Sequence, residues 1–433
     1  MSGTRGPIEV KSPIAEAVPP QSFIPNLSTP STLEMPAGTG LVLIPETKLD
    51  LRSDAEIARW LQEYHAPTSS DKNVWAFWHS GFTQMAPWVQ RNVINWVRRL
   101  GPDWTVRVLD RVPGSPVNVS EFVDESYFPV AFNENKMTGP HVGPHSGDLV
   151  RLPLLYLYGG VWMDAGTFLF RHLDDICWNV ITDPSTSYEL AGFIIEMRPN
   201  YDAMLNGFIA VQRSNQFIKR WHEIYLGLWA DGATESKGFH SHPLLRHLPL
   251  LCPPVDKLNC PDLSVQMEAF SDYLAHFLCF ERLRKLIDPS DGFNGPQMWE
   301  ERMFLVPAMQ ETWFFQNVTG WSGTKQFELL STRRDGPHDE KWHEAQGFAD
   351  DMLANTSTMK LSHGPPGALD SFLADIWDDP KYHHMDNEPG TFAAYLRYGS
   401  VHFDQTRKLK PLKIPKENMK EVLYAGATEI KDA

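Results

Sequence analysis

The chain has 433 residues, 42% hydrophobic and 21% charged, with 39 basic against 54 acidic side chains and a formal charge of −15. That length holds about three domains, or one large core with extensions, and can bury a core without disulfide or metal staples. The composition excludes a wholly disordered chain, a collagen and a coiled coil, and the acidic balance argues against general nucleic-acid binding, because a polyanion is repelled.

Four cysteines (Cys177, Cys252, Cys260, Cys279) are too few for a disulfide framework, and their spacing fits no zinc motif. They read as free thiols in a reducing compartment. The opening residues MSGTRGPIEVKSPIAEAVPP contain no apolar h-region. No run of about 20 apolar residues is long enough to span a membrane. A cytoplasmic protein without a membrane span is therefore expected, with the N-x-S/T sequences at Asn26, Asn118, Asn317 and Asn355 as chance matches.

Residues 1 to 45 are rich in Pro, Ser and Thr and read as an extended arm. The segment 53–66 opens on a Ser N-cap and carries Ile57, Trp60, Leu61 and Tyr64 at helical spacing. VWAFW (74–78) is an aromatic and β-branched run, hence a strand. A helix over 86–101 follows, with Pro87 in its first turn, Val89, Val93, Trp96 and Val97 on one face and Gly101 as its stop. TVRVLD (105–110) is the next strand. Strand, helix and strand in this order form a βαβ unit, which builds a parallel sheet and an α/β fold.

The segment 148–160 reads as a helix with an apolar stripe of Leu149, Leu152, Leu155 and Tyr156, ended by Gly159-Gly160. If it starts at Asp148, Pro153 falls near the end of the first turn, with a mild kink. VWMDAGTFLF (161–170) is a buried strand broken at Asp164-Ala165-Gly166. FIIEM (193–197) and FIAVQ (208–212) read as strands, 215–231 as a strong helix, and a further helix falls within 271–287. Beyond about 330 the chain turns polar, with a helix at 371–379 and a basic stretch at 407–417 that reads as a solvated tail. The organisation expected is an arm plus helix over 1–70, a core over 71–330 and a C-terminal region over 331–433 that completes the site.

The chemistry concentrates in His145–Phe170. Asp148 and Arg151, three residues apart on a helix, share a face. Asp164 interrupts an otherwise apolar strand, where a carboxylate needs a cation or hydrogen bonds in compensation. Ligands of open α/β sheets bind beyond the carboxyl ends of the strands. Such a polar site suits a sugar with its hydroxyls and a diphosphate needing positive charge. The same residues also fit plainer parts: Asp164 as a turn cap, Asp148 as a helix N-cap, Arg151 in a structural ion pair. His141 and His145 precede the helix, as acid/base or phosphate contacts or as ordinary loop histidines. Trp221 and Trp229 read as core, while some of the 15 tryptophans could line an acceptor pocket.

The set Asp148-x-x-Arg151, Leu154-Leu155, Tyr158-Gly159-Gly160-Val161-Trp162 and Asp164 resembles the core motif of the DXD-containing, Och1-like mannosyltransferases. It is closer still to the capsular polysaccharide synthesis family and its fungal members. The opening 74–110 and the segment LNGFIAVQRSNQFIKRWHEIYLGLW extend the likeness over roughly residues 73–230. The resemblance implies a GT-A-like, Rossmann-related, mostly parallel sheet flanked by helices. It implies a glycosyltransferase that moves a sugar from a nucleotide-sugar to a small-molecule or glycan acceptor, with retained configuration and Mn²⁺ or Mg²⁺ as cofactor. By motif position, Asp148, Arg151 and Asp164 are the catalytic set. Trp78 stacks on the nucleobase, and Trp162, His145, Asn206 and Lys360 contact the substrates. One position departs from the motif: the second acidic residue of DXD is Gly166. A cation then has Asp164 with a late ligand, for which His363 in MKLSHGPPG (359–367) is the candidate, with Ser362 beside it and Lys360 toward phosphate.

Two other readings compete. The same pocket could take an isoprenoid diphosphate and run terpene-cyclase-like chemistry in an aromatic chamber, because fold does not fix function. Alternatively, the chain could bind a donor without turning it over.

Overall fold

The computed structural model describes residues 35–198, 201–252, 266–363, 371–412 and 422–430. Most of the arm expected at the N-terminus, Cys260, residues 364–367 of the late candidate segment and residues 413–417 of the basic stretch lie outside them.

The centre is a six-stranded sheet. Its strands are β1 (Asn73–Phe77), β2 (Thr105–Leu109), β3 (Gly160–Met163), β5 (Leu190–Arg198), β6 (Tyr201–Val211) and β7 (Met303–Pro307). A short strand β4 (Thr167–Leu169) follows β3 after the break at 164–166, and pairs antiparallel with β8 (Thr358–Lys360). The order across the sheet is β7-β5-β6-β3-β1-β2. β1 pairs parallel with β2 and with β3, and β5 with β7, while β6 runs antiparallel between β3 and β5. Five strands thus share one direction, so their carboxyl ends share one edge. The mixed α/β fold with a mostly parallel sheet is as expected.

Four helices position that edge: α1 (Pro87–Leu100), α2 (Val142–Tyr158), α3 (Gln216–Leu228) and α4 (Ala275–Lys285). Pro87 sits in the first turn of α1, where its missing N–H costs nothing. The face read from the sequence is buried, with Val89, Val93, Trp96 and Val97 all at or below 4% exposure. The helix after Ser53 is shorter than expected, Asp54–Trp60, and is closed at its start by a Ser53/Glu56 capping box. The helix expected within 271–287 is two: Met267–Tyr273, then α4.

α2 begins at Val142, six residues before the expected start, so Pro153 lies in its interior and not in its first turn. Gly143, Pro144 and Gly147 hide that first turn, because none of them contributes to an apolar stripe. The Gly159-Gly160 stop has a steric cause. Both residues have positive φ, and a Cβ on Gly160 would stand 2.2 Å from the Asn73 carbonyl oxygen. Only glycine lets β3 leave the helix and lie directly against β1.

The region after 330 is packed into the body. One hydrophobic cluster runs from Leu41 to Ala425. Arg99, fully buried, donates to the carbonyls of Phe170, Ser400 and Phe403 and pairs with Asp404 at 2.7 Å. The basic stretch departs from a solvated tail where it is described. Arg407 grips the buried Glu311 with both terminal nitrogens, at 2.7 and 2.6 Å, and the Leu412 amide donates to the Leu305 carbonyl. A buried carboxylate needs that cation. Cys177 and Cys279 are buried free thiols, and Cys252 is half-buried.

Candidate active site

The break between β3 and β4 is a turn held on three sides. The Asp164 amide donates to the Gly207 carbonyl at 2.9 Å. Asn92 Nδ2 of α1 donates to the Ala165 carbonyl at 3.1 Å, and the Leu361 amide donates to the Gly166 carbonyl at 2.9 Å. These bonds replace the strand ladder for three residues and fix Asp164 at the carboxyl edge of the sheet. α2 crosses the same edge, with Gly147 packed close to Phe77 and Trp162.

The two elements bring the predicted charges together. Arg151 Nη2 lies 2.9 Å from Asp148 Oδ1 and 3.8 Å from Asp164 Oδ1. Its Nη1 donates to the Asn206 carbonyl at 2.7 Å, and its guanidinium stands 5.0 Å from the centre of the Trp162 ring. Asn206 Nδ2 donates to Asp148 Oδ1 at 3.0 Å. His145 Nδ1 lies 3.3 Å from Asp148 Oδ2, and since an ionised carboxylate only accepts, that nitrogen carries the proton. Trp162 Nε1 donates to Asp164 Oδ1 at 2.9 Å. From β8, Lys360 Nζ reaches Asp164 Oδ2 at 3.1 Å.

The cluster has a closed end and an open end. Asp148 and Arg151 are 6% and 4% exposed. The side chains of Asp164 and Lys360 keep 28% and 23%. A ligand therefore meets Asp164 and Lys360 first, with the Arg151 pair behind them.

Burial pushes the Asp148 carboxyl up, but the Arg151 charge and the His145 hydrogen bond outweigh it and bring it to about 2, against an ordinary 3.8. Asp164 is also pushed up by burial and held below its ordinary value by Lys360 and Arg151. Because the folded value of Asp148 is depressed, its contribution to stability is full above about pH 4 and is lost as pH falls toward 2. The shift corresponds to about 2 kcal/mol. Urea midpoints of wild type and Asp148→Asn should converge as pH falls from 5 to 2; a gap that stays constant would contradict this assignment.

Trp78 follows β1 on the same edge, half-buried, with its amide donating to the Leu109 carbonyl. His363 has another partner: its Nε2 bonds Asp378 Oδ2 at 2.7 Å, and that bond lifts the imidazole above its ordinary value. Asp378 in turn accepts from Trp88 Nε1 at 2.7 Å.

The residues present do not fit a divalent ion. Asp164 already carries Trp162 and Lys360 on its two oxygens, and Asp148 accepts from Arg151, Asn206 and His145. Gly166 leaves no room for the missing acid, because a Cβ there would stand 2.9 Å from the Leu361 carbonyl oxygen. Among the described residues no group of three or more His, Cys, Asp or Glu side chains is arranged to hold a metal.

Two neighbours escaped the sequence reading. A Cβ on Gly207 would meet Asp164 Oδ2 and Lys360 Cε, both at 2.8 Å. A glycine inside a strand is a signal of close approach, and here the approaching groups are the site itself. Gly207→Ala should leave the fold intact, since only side-chain tips must yield, and lower turnover about tenfold. Steady-state rates beside thermal midpoints check this; unchanged turnover would contradict it. His276 of α4 was hidden by its apolar helix. Its Nδ1 accepts from Asn206 Nδ2 at 3.3 Å, and burial drives it down to about 3, so it is neutral. It orients the amide that holds Asp148.

Comparison with known proteins gives the family. The profile of the family described as "Capsular polysaccharide synthesis protein" matches residues 46–261. "O-glycosyltransferase braB" of Annulohypoxylon truncatum is 65% identical over 416 residues, 94% of this chain and 98% of that protein. The chain belongs to the capsular polysaccharide synthesis family. "Glycosyltransferase afumC" of Aspergillus fumigatus is 51% identical over 87% of this chain and 96% of its own. "O-glycosyltransferase PaGT" of Phomopsis amygdali is 45% identical over 90% and 95%. Relatives of this closeness over nearly their full length make the chain a glycosyltransferase. A solved structure, "PaToxG Glycosyltransferase", covers 41% of this chain and 68% of its own at 14% identity, with a TM-score of 0.26, too remote to define the fold. Among the described residues no helix is long and apolar enough to cross a membrane.

Proposed function

We propose that this family member transfers a sugar from a nucleotide-sugar to the hydroxyl of a small-molecule acceptor, with retention of configuration, on a GT-A-like sheet. The observation that carries the reading is the Asp148–Arg151–Asp164–Lys360 cluster at the carboxyl edge of the parallel strands. Two of its members are cations, suited to a departing diphosphate, and its carboxylates are suited to sugar hydroxyls. The O-glycosyltransferase names of two relatives support a hydroxyl acceptor.

In this reading the acceptor oxygen bonds to the anomeric carbon as the bond to the diphosphate oxygen breaks. The electron pair goes to the diphosphate, which also takes the hydroxyl proton. Arg151 and Lys360 stabilise the charge that develops there. Both carboxylates are already paired with cations, which supports retention without a strong protein nucleophile. Trp78, on the same edge, is assigned to the nucleobase. The relatives favour this reading over isoprenoid chemistry.

Thermal shift against UDP- and GDP-sugars and against an isoprenoid diphosphate tests it, because a ligand of the native state raises the midpoint by mass action. A shift with a nucleotide-sugar supports the proposal. A shift with the isoprenoid diphosphate alone overturns it.

A further inference from the structure

We propose that the Lys360 ammonium takes the place of a divalent ion, so that donor binding and diphosphate departure run without metal. This rests on the glycosyl-transfer reading above. Lys360 is placed by backbone geometry. β8 pairs with β4 in the register Lys360 opposite Thr167, and the Lys360 amide donates to the Thr312 carbonyl at 3.2 Å. Gly207 then clears the path for its chain, with Lys360 Cε only 2.8 Å from where a Cβ would stand.

The result is a cation 3.1 Å from Asp164 Oδ2, on the open side of the cluster. A divalent ion seated on Asp164 would have to displace that ammonium and face Arg151, 3.8 Å from the other oxygen. Like charges at such short range repel. A hard ion also needs about six oxygens, and both oxygens of Asp148 and of Asp164 already accept from neighbouring side chains. Gly166 completes the case. The backbone of Leu361, the residue directly after β8, lies so close to it that a Cβ there would stand 2.9 Å from the Leu361 carbonyl oxygen, which crowds out a second acidic side chain. The lysine and the missing carboxylate are thus two consequences of one strand pairing. Lys360 has three N–H donors, one engaged by Asp164, leaving two for phosphate oxygens.

Calorimetric titration of the full chain with UDP and with GDP, in EDTA and in Mn²⁺, tests this. One nucleotide is expected to bind with the same affinity in both buffers. Lys360→Met should weaken it at least tenfold, and Lys360→Arg should restore most of the loss. Thermal midpoints near wild type confirm that the variants fold. Binding that requires Mn²⁺, or Lys360→Met binding like wild type, overturns the inference and leaves the proposed function standing. Absence of binding by either nucleotide in both buffers removes the proposed function and this inference together.

Discussion

Arg151→Ala is expected to abolish turnover and to destabilise the fold at once. The guanidinium bridges both carboxylates, and its Nη1 also holds the Asn206 carbonyl. Removing it leaves Asp148, 6% exposed, as a buried charge without its chief cation. Breaking a buried pair in this way costs about 3–5 kcal/mol. Asp148 should then rise from its depressed value, because burial pushes it up and the chief opposing charge is gone. Arg151→Lys keeps the charge but loses the planar fork, so it should recover part of the stability and little of the rate. Chemical denaturation beside steady-state kinetics separates the two effects. A variant with wild-type turnover would remove Arg151 from the site.

Asp164→Asn should behave differently. Its side chain is 28% exposed and sits at the open end, so the stability change should stay within about 1 kcal/mol. The charge that pairs with Lys360 and faces Arg151 disappears, while the amide keeps the size of the group. Turnover is expected to fall about 10²–10³-fold, the range seen when one preorganised electrostatic contact is removed. A drop in stability matching that of Arg151→Ala would mean that Asp164 is a structural turn residue and not part of the chemistry.

Local order was legible where the determinants are local. The buried face of α1, the Gly159-Gly160 stop and the Asp148–Arg151 pair all follow from spacing along one helix or turn. The break at Asp164 was visible as a carboxylate in an apolar run. The start of α2 was not, because Gly143, Pro144 and Gly147 are residues that usually punctuate helices. Lys360 could be singled out, but its partner could not. The three-residue ladder that brings β8 to β4 joins segments nearly 200 residues apart, and so short a strand carries no periodic signal. His363 shows the same limit from the other side, since its partner Asp378 is set by the packing of the helix Leu373–Asp378 near Trp88. Gly207 was readable in principle as a glycine in a strand, though what approaches it was not.

The site also joins the two ends of the sequence argument. The Asp-x-x-Arg helix and the broken strand come from the region matched by the family profile, whereas Lys360 comes from beyond residue 330. Activity therefore should require the C-terminal region for chemistry as well as for packing.

The measurement that tests the central claim most directly is a crystal structure with a bound nucleoside diphosphate. Phosphate oxygens are predicted within hydrogen-bond distance of Lys360 Nζ and facing Arg151 beside Asp164. A diphosphate bound away from these three side chains would contradict the account.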